Sequence, residues 1–286
     1  MLNRCLFTVI IVLFLISTGY AAQSTIMEVE GYSCMGEEKS RKQTKKEALA
    51  DAKRKAIEYT ASHIRSETRL NNLQLETDVV EAYSKADVKI LDLKEIGWYK
   101  DHNLGECFKV WVKADVVPDE KTMENHSGNE LFLEDPSSPL TVKVWTGKYE
   151  YKEGDQIKLY LKGNKPFYTR ILYKDAMGEM FQLLPNPFRR NNYFSGGIVY
   201  DIPSGNDKYL LVVTPPFGKE NIFVYASTSQ LGDIDLENAD SVYLVNTSQQ
   251  DIGVKIRGVQ LKEKKGKDVS FAEFYEKTIT VITGQQ

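Results

Sequence analysis

Few side chains in this sequence could make or break bonds, and their spacing works against it. The three histidines are His63, His102 and His126. One falls on a predicted helix, one in a turn and one in a linker, and none has a neighbour at metal-ligand spacing. His63 lies on an apolar stripe, where packing explains it. The chain holds no G-x-S-x-G elbow, H-E-x-x-H pair, phosphate loop or dinucleotide fingerprint. Acidic residues are plentiful, but two of them make a glycosidase pair only through their separation in space. No catalytic residue, metal ligand or cofactor site is assigned, and the chain is read as non-enzymatic.

The cysteines carry compartment information instead. Cys5 precedes the apolar run Leu6–Ile16, which follows the positive Arg4 and leads to Gly19 and Ala21. That arrangement predicts a secretory signal peptide cut after Ala21, with Ala22 as second choice. The alternative is an uncleaved N-terminal anchor; the run is short for a permanent span. A lipid-bearing cysteine would follow the apolar run, so Cys5 is not one. Cleavage leaves Cys34 and Cys107, one pair in an oxidising compartment, and predicts a disulfide. Two unpaired thiols are the alternative. A bond over so long a loop is worth roughly 4 kcal/mol at the upper end.

Charge narrows the partners. Removing Arg4 with the leader takes the 37 basic residues to 36, against 40 acidic ones. A slightly acidic protein is not expected to bind nucleic acid generally. Glu37–Arg69 is locally basic, and it is read as a solvated helix face laced with ion pairs. The best candidate contact surface is the loop Pro185–Gly197. It gathers Phe188, Arg189, Arg190, Tyr193 and Phe194, the aromatic and arginine mixture that interface cores favour. The alternative is a loop packed on its own domain.

The elements that must position these residues fall into segments. Residues 1–21 are the signal peptide, and residues 22–117 read as an α+β domain of order β-α-α-β-β. Its first strand, Thr25–Cys34, puts Met27, Val29 and Gly31 on one face. A helix follows, capped at Thr44 or a turn earlier at Ser40, with Ala48, Leu49, Ala52, Ala56, Tyr59, Thr60 and His63 on one stripe. A second helix covers about Glu76–Ala86. Strands Val88–Trp98 and Cys107–Val117 close the domain. In the latter, Phe108, Val110, Val112, Ala114 and Val116 alternate against Lys109, Lys113 and Asp115, which predicts a sheet covered on one side.

Residues 118–139 read as a linker rich in Pro, Ser and acidic residues. Residues 140–230 read as an all-β, sandwich-like domain with strands near 141–145, 156–163, 167–174, 179–184, 198–202, 209–214 and 220–226. Residues 231–286 form an extension. There Val242–Val245, Gly253–Leu261 and Thr278–Thr283 could add strands, and Ser270 could cap a short helix.

From Val142 to about Ser229 the chain resembles the bacterial domain of unknown function 4384. The resemblance rests on Tyr151-Lys152-Glu153-Gly154-Asp155, Asp175-Ala176-Met177-Gly178-Glu179, Leu183-Leu184-Pro185-Asn186, Ile202-Pro203 and Thr214-Pro215-Pro216-Phe217-Gly218-Lys219-Glu220. It implies an exported bacterial protein, of a kind often joined to envelope modules or caspase-like peptidase domains, and it supplies no catalytic residue. Residues 26–117 resemble the N-terminal domain of flagellar-assembly protein T and related outer-membrane lipoproteins. That resemblance rests on the Ala48-x3-Ala52-x3-Ala56 helix, on Ile64-Arg65-Ser66-Glu67-Thr68 and on Val110-Trp111-Val112-Lys113-Ala114-Asp115-Val116. The lipobox is missing, so membrane anchoring does not carry over.

The expectation is a periplasmic or secreted interaction protein, without cofactor or lasting membrane anchor, that binds envelope proteins or cell-wall material. An adaptor of an envelope or secreted protease system and a hydrolase of envelope carbohydrate are the alternatives.

Overall fold

The computed structural model describes residues 21–37, 39–68, 73–124, 133–239, 242–258 and 271–285. The apolar leader, His126 and Ser270 lie outside the described residues. No helix among the described residues is long and apolar enough to cross a membrane.

The chain is mostly β. It opens with β1 (Ala21–Cys34), α1 (Arg41–Glu67), α2 (Leu73–Ser84), β2 (Asp87–Asp101) and β3 (Gly105–Val117), the β-α-α-β-β order. Ser40 is the N-cap of α1: its side chain accepts from the Gln43 amide, while the Gln43 side chain accepts from the Ser40 amide. That reciprocal pairing satisfies two backbone donors and sets the start one turn before Thr44. The buried stripe runs through Ala48, Ala52, Ala56, Thr60 and Ile64. Tyr59, expected on it, points outward. The alanines matter because α1 lies directly on Gly31 of β1. A Cβ there would sit 2.2 Å from the Ala48 carbonyl oxygen and 2.7 Å from the Ala52 Cβ. Met27 and Val29 share that face with Phe108, Val110, Val112, Ala114 and Val116 of β3, and α2 adds Val79, Val80 and Tyr83 to the same core.

After a short α3 (Glu120–Glu124) come β4 (Val142–Thr146), β5 (Glu150–Lys152), β6 (Leu159–Gly163), β7 (Phe167–Lys174), β8 (Met180–Leu184), β9 (Tyr193–Phe194) and β10 (Tyr200–Ile202). Then follow β11 (Lys219–Ser227), β12 (Leu236–Ala239), β13 (Val242–Val245), α4 (Gln249–Ile256) and β14 (Phe271–Gly284). Two expectations for the tail change. The segment read as a strand from Gly253 belongs to α4, capped by Ser248, because Ile252 and Ile256, one turn apart, pack beneath the sheet. The stretch after Ser270 is strand, not helix. Segment 209–214 is no named strand either; it makes one isolated bridge, Val212 to Gln156.

The long sheet runs β12-β13-β8-β7-β11-β14-β1-β3-β2, and β4, β6 and β10 form a second sheet. β14 is therefore the seam. It pairs antiparallel with β1 on one side and β11 on the other, so that Phe274 lies opposite Ser24 and Ser227 at once. The boundaries read near 117 and 230 do not interrupt this sheet. One face of it is covered by α1 and α2 at the β1–β3 end. At the β7–β11 end the small sheet covers the same face: Leu159, Leu161 and Ile202 share a core with Ile171, Ile222 and Val281. On the opposite face α4 packs across the seam, joining Ile26, Leu172, Tyr225, Ala272 and Phe274.

The sheet is consequently not one-sided at Asp115, which is fully buried. Arg257, at the end of α4, brings Nε to 3.1 Å from Asp115 Oδ2 and a terminal nitrogen to 2.9 Å from Glu276. Among the described residues neither Asp115 oxygen has a partner in hydrogen-bond geometry, so its contact with Arg257 is an ion pair. Burial holds the Asp115 carboxyl above the usual aspartate range, and the Arg257 charge offsets part of that rise. The end of the linker is also fixed. Asn164 donates to the Asp135, Ser138 and Pro139 carbonyls, and Glu273 accepts from the Leu140 amide and pairs with Lys165.

Candidate functional site

Cys34 and Cys107 face each other in the β1–β3 register and are joined by a disulfide across 73 residues. His63 stacks on Phe271 with ring centroids 4.2 Å apart, and His102 is exposed in the β2–β3 turn. Among the described residues no group of three or more His, Cys, Asp or Glu could hold a metal ion. Cations of α1 are engaged in ion pairs, Arg54 with Asp51 and Glu58 and Lys55 with Asp51, and Lys39, just before the helix, pairs with its Glu47.

The loop Pro185–Gly197 divides in two. Phe194 is buried in β9, stacked on Phe167 and edge-on to Tyr200. Arg189 bridges to Asp207 at 2.9 Å and lies over the Phe194 ring. These two residues hold the loop to its own sheets; Phe194 is buried, whereas Arg189 stays partly exposed. Phe188, Arg190 and Tyr193 remain exposed. Phe188 stacks on Tyr209, the residue before Leu210, and Tyr193 leans on Tyr168. The outward part of the loop thus abuts segment 209–214.

That segment borders a cleft of about 380 Å³ between the β7–β8 hairpin, residues 210–216 and the start of β11. Its walls are apolar, from Ile157, Phe181, Leu183, Leu211 and Ile222. Its rim carries Leu210, 62% exposed, and Val212, 46% exposed. Three carboxyl side chains line it, those of Asp175, Glu179 and Glu220, and no Lys or Arg does so among the described residues. Asp175 shapes the hairpin, accepting from the Met177 and Glu179 amides.

Glu220 lies at the bottom, 2% exposed. Its Oε1 accepts from the Thr283 hydroxyl at 3.0 Å and its Oε2 from the Tyr173 hydroxyl. Burial pushes its carboxyl above the ordinary glutamate range, against the pull of those two hydroxyl donors. The Tyr173 hydroxyl is pushed up as well, by burial first and then by Glu220. The sequence held a signal for this residue. Glu220, Ile222, Val224 and Ala226 alternate in β11, so a charged residue occupies the phase that otherwise faces the core.

Segment 209–214 has one more property. Leu211 and Val213 bond to the neighbouring segment: Ile157 donates to the Leu211 carbonyl, Val213 donates to Asp155, and Gly154 donates to the Val213 carbonyl. In an extended chain the alternate residues direct their backbone groups the other way. Those of Leu210, Val212 and Thr214 have no backbone partner among the described residues. The rim of the cleft is an open strand edge.

A comparison with curated proteins gave no match. Residues 150–230, which contain every residue lining the cleft, match the family model described as a domain of unknown function (DUF4384).

Proposed function

We propose that this protein is an exported, non-enzymatic binding module of the bacterial envelope, and that its ligand seat is the cleft beside β11. The observation that carries the reading is a concave site with aliphatic walls, a few convergent carboxylates and an exposed apolar rim, the composition of a recognition pocket. Both oxygens of Glu220 are taken up by hydroxyl donors. That favours a fixed binding carboxylate over the proton donor that a carbohydrate hydrolase needs. The disulfide and the signal-peptide pattern both favour an oxidising compartment. The helix-covered N-terminal part, similar in motif to flagellar-assembly protein T, and the sandwich-like part around the cleft act as one unit in this proposal, because β14 runs through both.

Proximity labelling in the periplasm tests it. The native protein and the Leu210→Asp/Val212→Asp variant are compared at equal abundance. The expected result is a set of envelope proteins labelled by the native protein and lost from the variant. Identical sets would remove the cleft from the function.

A further inference from the structure

We infer that the cleft takes an extended polypeptide segment bearing a lysine or arginine, which adds as a strand to the edge at Leu210–Thr214 and sends its basic side chain into the cleft. This rests on the reading of the cleft as the ligand seat and adds the chemistry of the occupant.

Two independent features point to that occupant. The first is the edge. Leu211 and Val213 are committed to residues 154–157, while Leu210, Val212 and Thr214 present amides and carbonyls with no backbone partner among the described residues. An extended peptide satisfies such groups by strand addition, its main chain giving affinity and its alternate side chains giving specificity. The hairpin side supplies no such pairing, since β8 is paired with β7 and β13.

The second feature is the charge and shape of the cavity beside that edge. Its lining carries Asp175, Glu179 and Glu220 without a basic side chain among the described residues. A small dication is a poor fit, because the walls are hydrocarbon and the Glu220 oxygens already accept hydroxyl protons. A basic side chain fits both parts. Its methylene stem lies along Ile157, Leu183 and Ile222, and its cationic head meets the carboxylates of Asp175 and Glu179. The exposed Phe188, stacked on the half-buried Tyr209, continues the edge and offers a surface for the next residue of the peptide.

The test uses fluorescein-labelled six-residue peptides and the purified protein, followed by fluorescence anisotropy. The probes alternate valine with lysine or valine with glutamate. Two further valine–lysine peptides are N-methylated on one or the other alternate set of amides. Saturable binding of the valine–lysine peptide is expected, with no binding of the glutamate version. One N-methylated isomer should bind about tenfold more weakly or worse, because it loses the amides facing the edge. Replacing the exposed Glu179 with Lys should weaken binding by about fivefold. The inference is overturned if the unmodified peptide does not bind, if the glutamate peptide binds equally, or if both methylated isomers bind like the parent. Labelling that depends on Leu210 and Val212, together with failure of every peptide, would sink this inference while leaving the binding module standing. Labelling indifferent to those residues would remove the cleft from the function, and this inference with it.

Discussion

At the β1–β3 end of the long sheet, alanines of α1 close onto Gly31 with no room for a methyl group. At the β7–β8 end, the same face is left with a cleft about 380 Å³ in volume, and Leu210 and Val212 stand in solvent at its rim. Both regions use alternating apolar strands. They differ in what covers them. A long helix with small side chains can follow a twisted sheet closely, whereas a three-stranded sheet and a segment paired on one side only leave a gap. Close packing makes the first region a support, and the gap gives the second something to bind with.

The comparison breaks most visibly at the seam between the regions. Arg257→Ala leaves Asp115 buried without its cation, and the expected loss is about 3–5 kcal/mol near neutral pH. The loss should shrink on acidification. Burial has raised the folded-state pKa of Asp115, so its stabilising contribution is present below the unfolded value and disappears as pH rises through the folded one. Urea unfolding of both proteins across the acid-to-neutral range measures it, and a cost independent of pH would contradict the ion pair. At the closed end, Gly31→Val drives side-chain atoms into the α1 backbone and should cost about 3 kcal/mol or more. A thermal midpoint equal to that of the native protein would show that the helix can lift.

Smaller effects sharpen the open end. Glu220→Gln removes a carboxyl whose ionisation the fold opposes. The native protein should lose stability relative to this variant as pH rises from below the ordinary glutamate value towards neutral. Parallel stability-versus-pH curves for the two proteins would assign Glu220 no electrostatic strain. Leu210→Asp, at an exposed rim position, should leave stability within about 0.5 kcal/mol of native. A larger change in the denaturation midpoint would mean that the rim is structural.

Much of the closed end was legible in sequence, because its signals are local. The alanine spacing and the alternation in β3 each act over a few residues, and so does the capping signal, although its spacing points first to Thr44 and only second to Ser40, the residue that caps α1. β7 and β13 were legible for the same reason. The seam was not. The tail segment Gly253–Ile256 has strand-like composition, and only the sheet above it selects a helix that buries Ile252 and Ile256. Asp115 reads as a surface aspartate until Arg257 arrives from a distant part of the chain. The cleft was half legible. Glu220 breaks the core phase of β11, but nothing local tells that Tyr173 and Thr283 meet its carboxylate or that Leu210 lacks a neighbour. In the loop Pro185–Gly197, composition could not separate the buried Phe194 from the exposed Phe188, Arg190 and Tyr193.

The position of β14 has a consequence for synthesis. A ribosome delivers β1 first and β11 long afterwards, and both keep an open edge until residues 271–284 have emerged. Between the appearance of β11 and that of β14 the chain therefore carries two unpaired edges, each a template for mispairing with a neighbouring chain. β1 and β14, separated by most of the described residues, are direct partners, and pairing at so long a range is slow. A chain stalled before residue 271 lacks the strand that joins β1 to β11 and leaves both edges open.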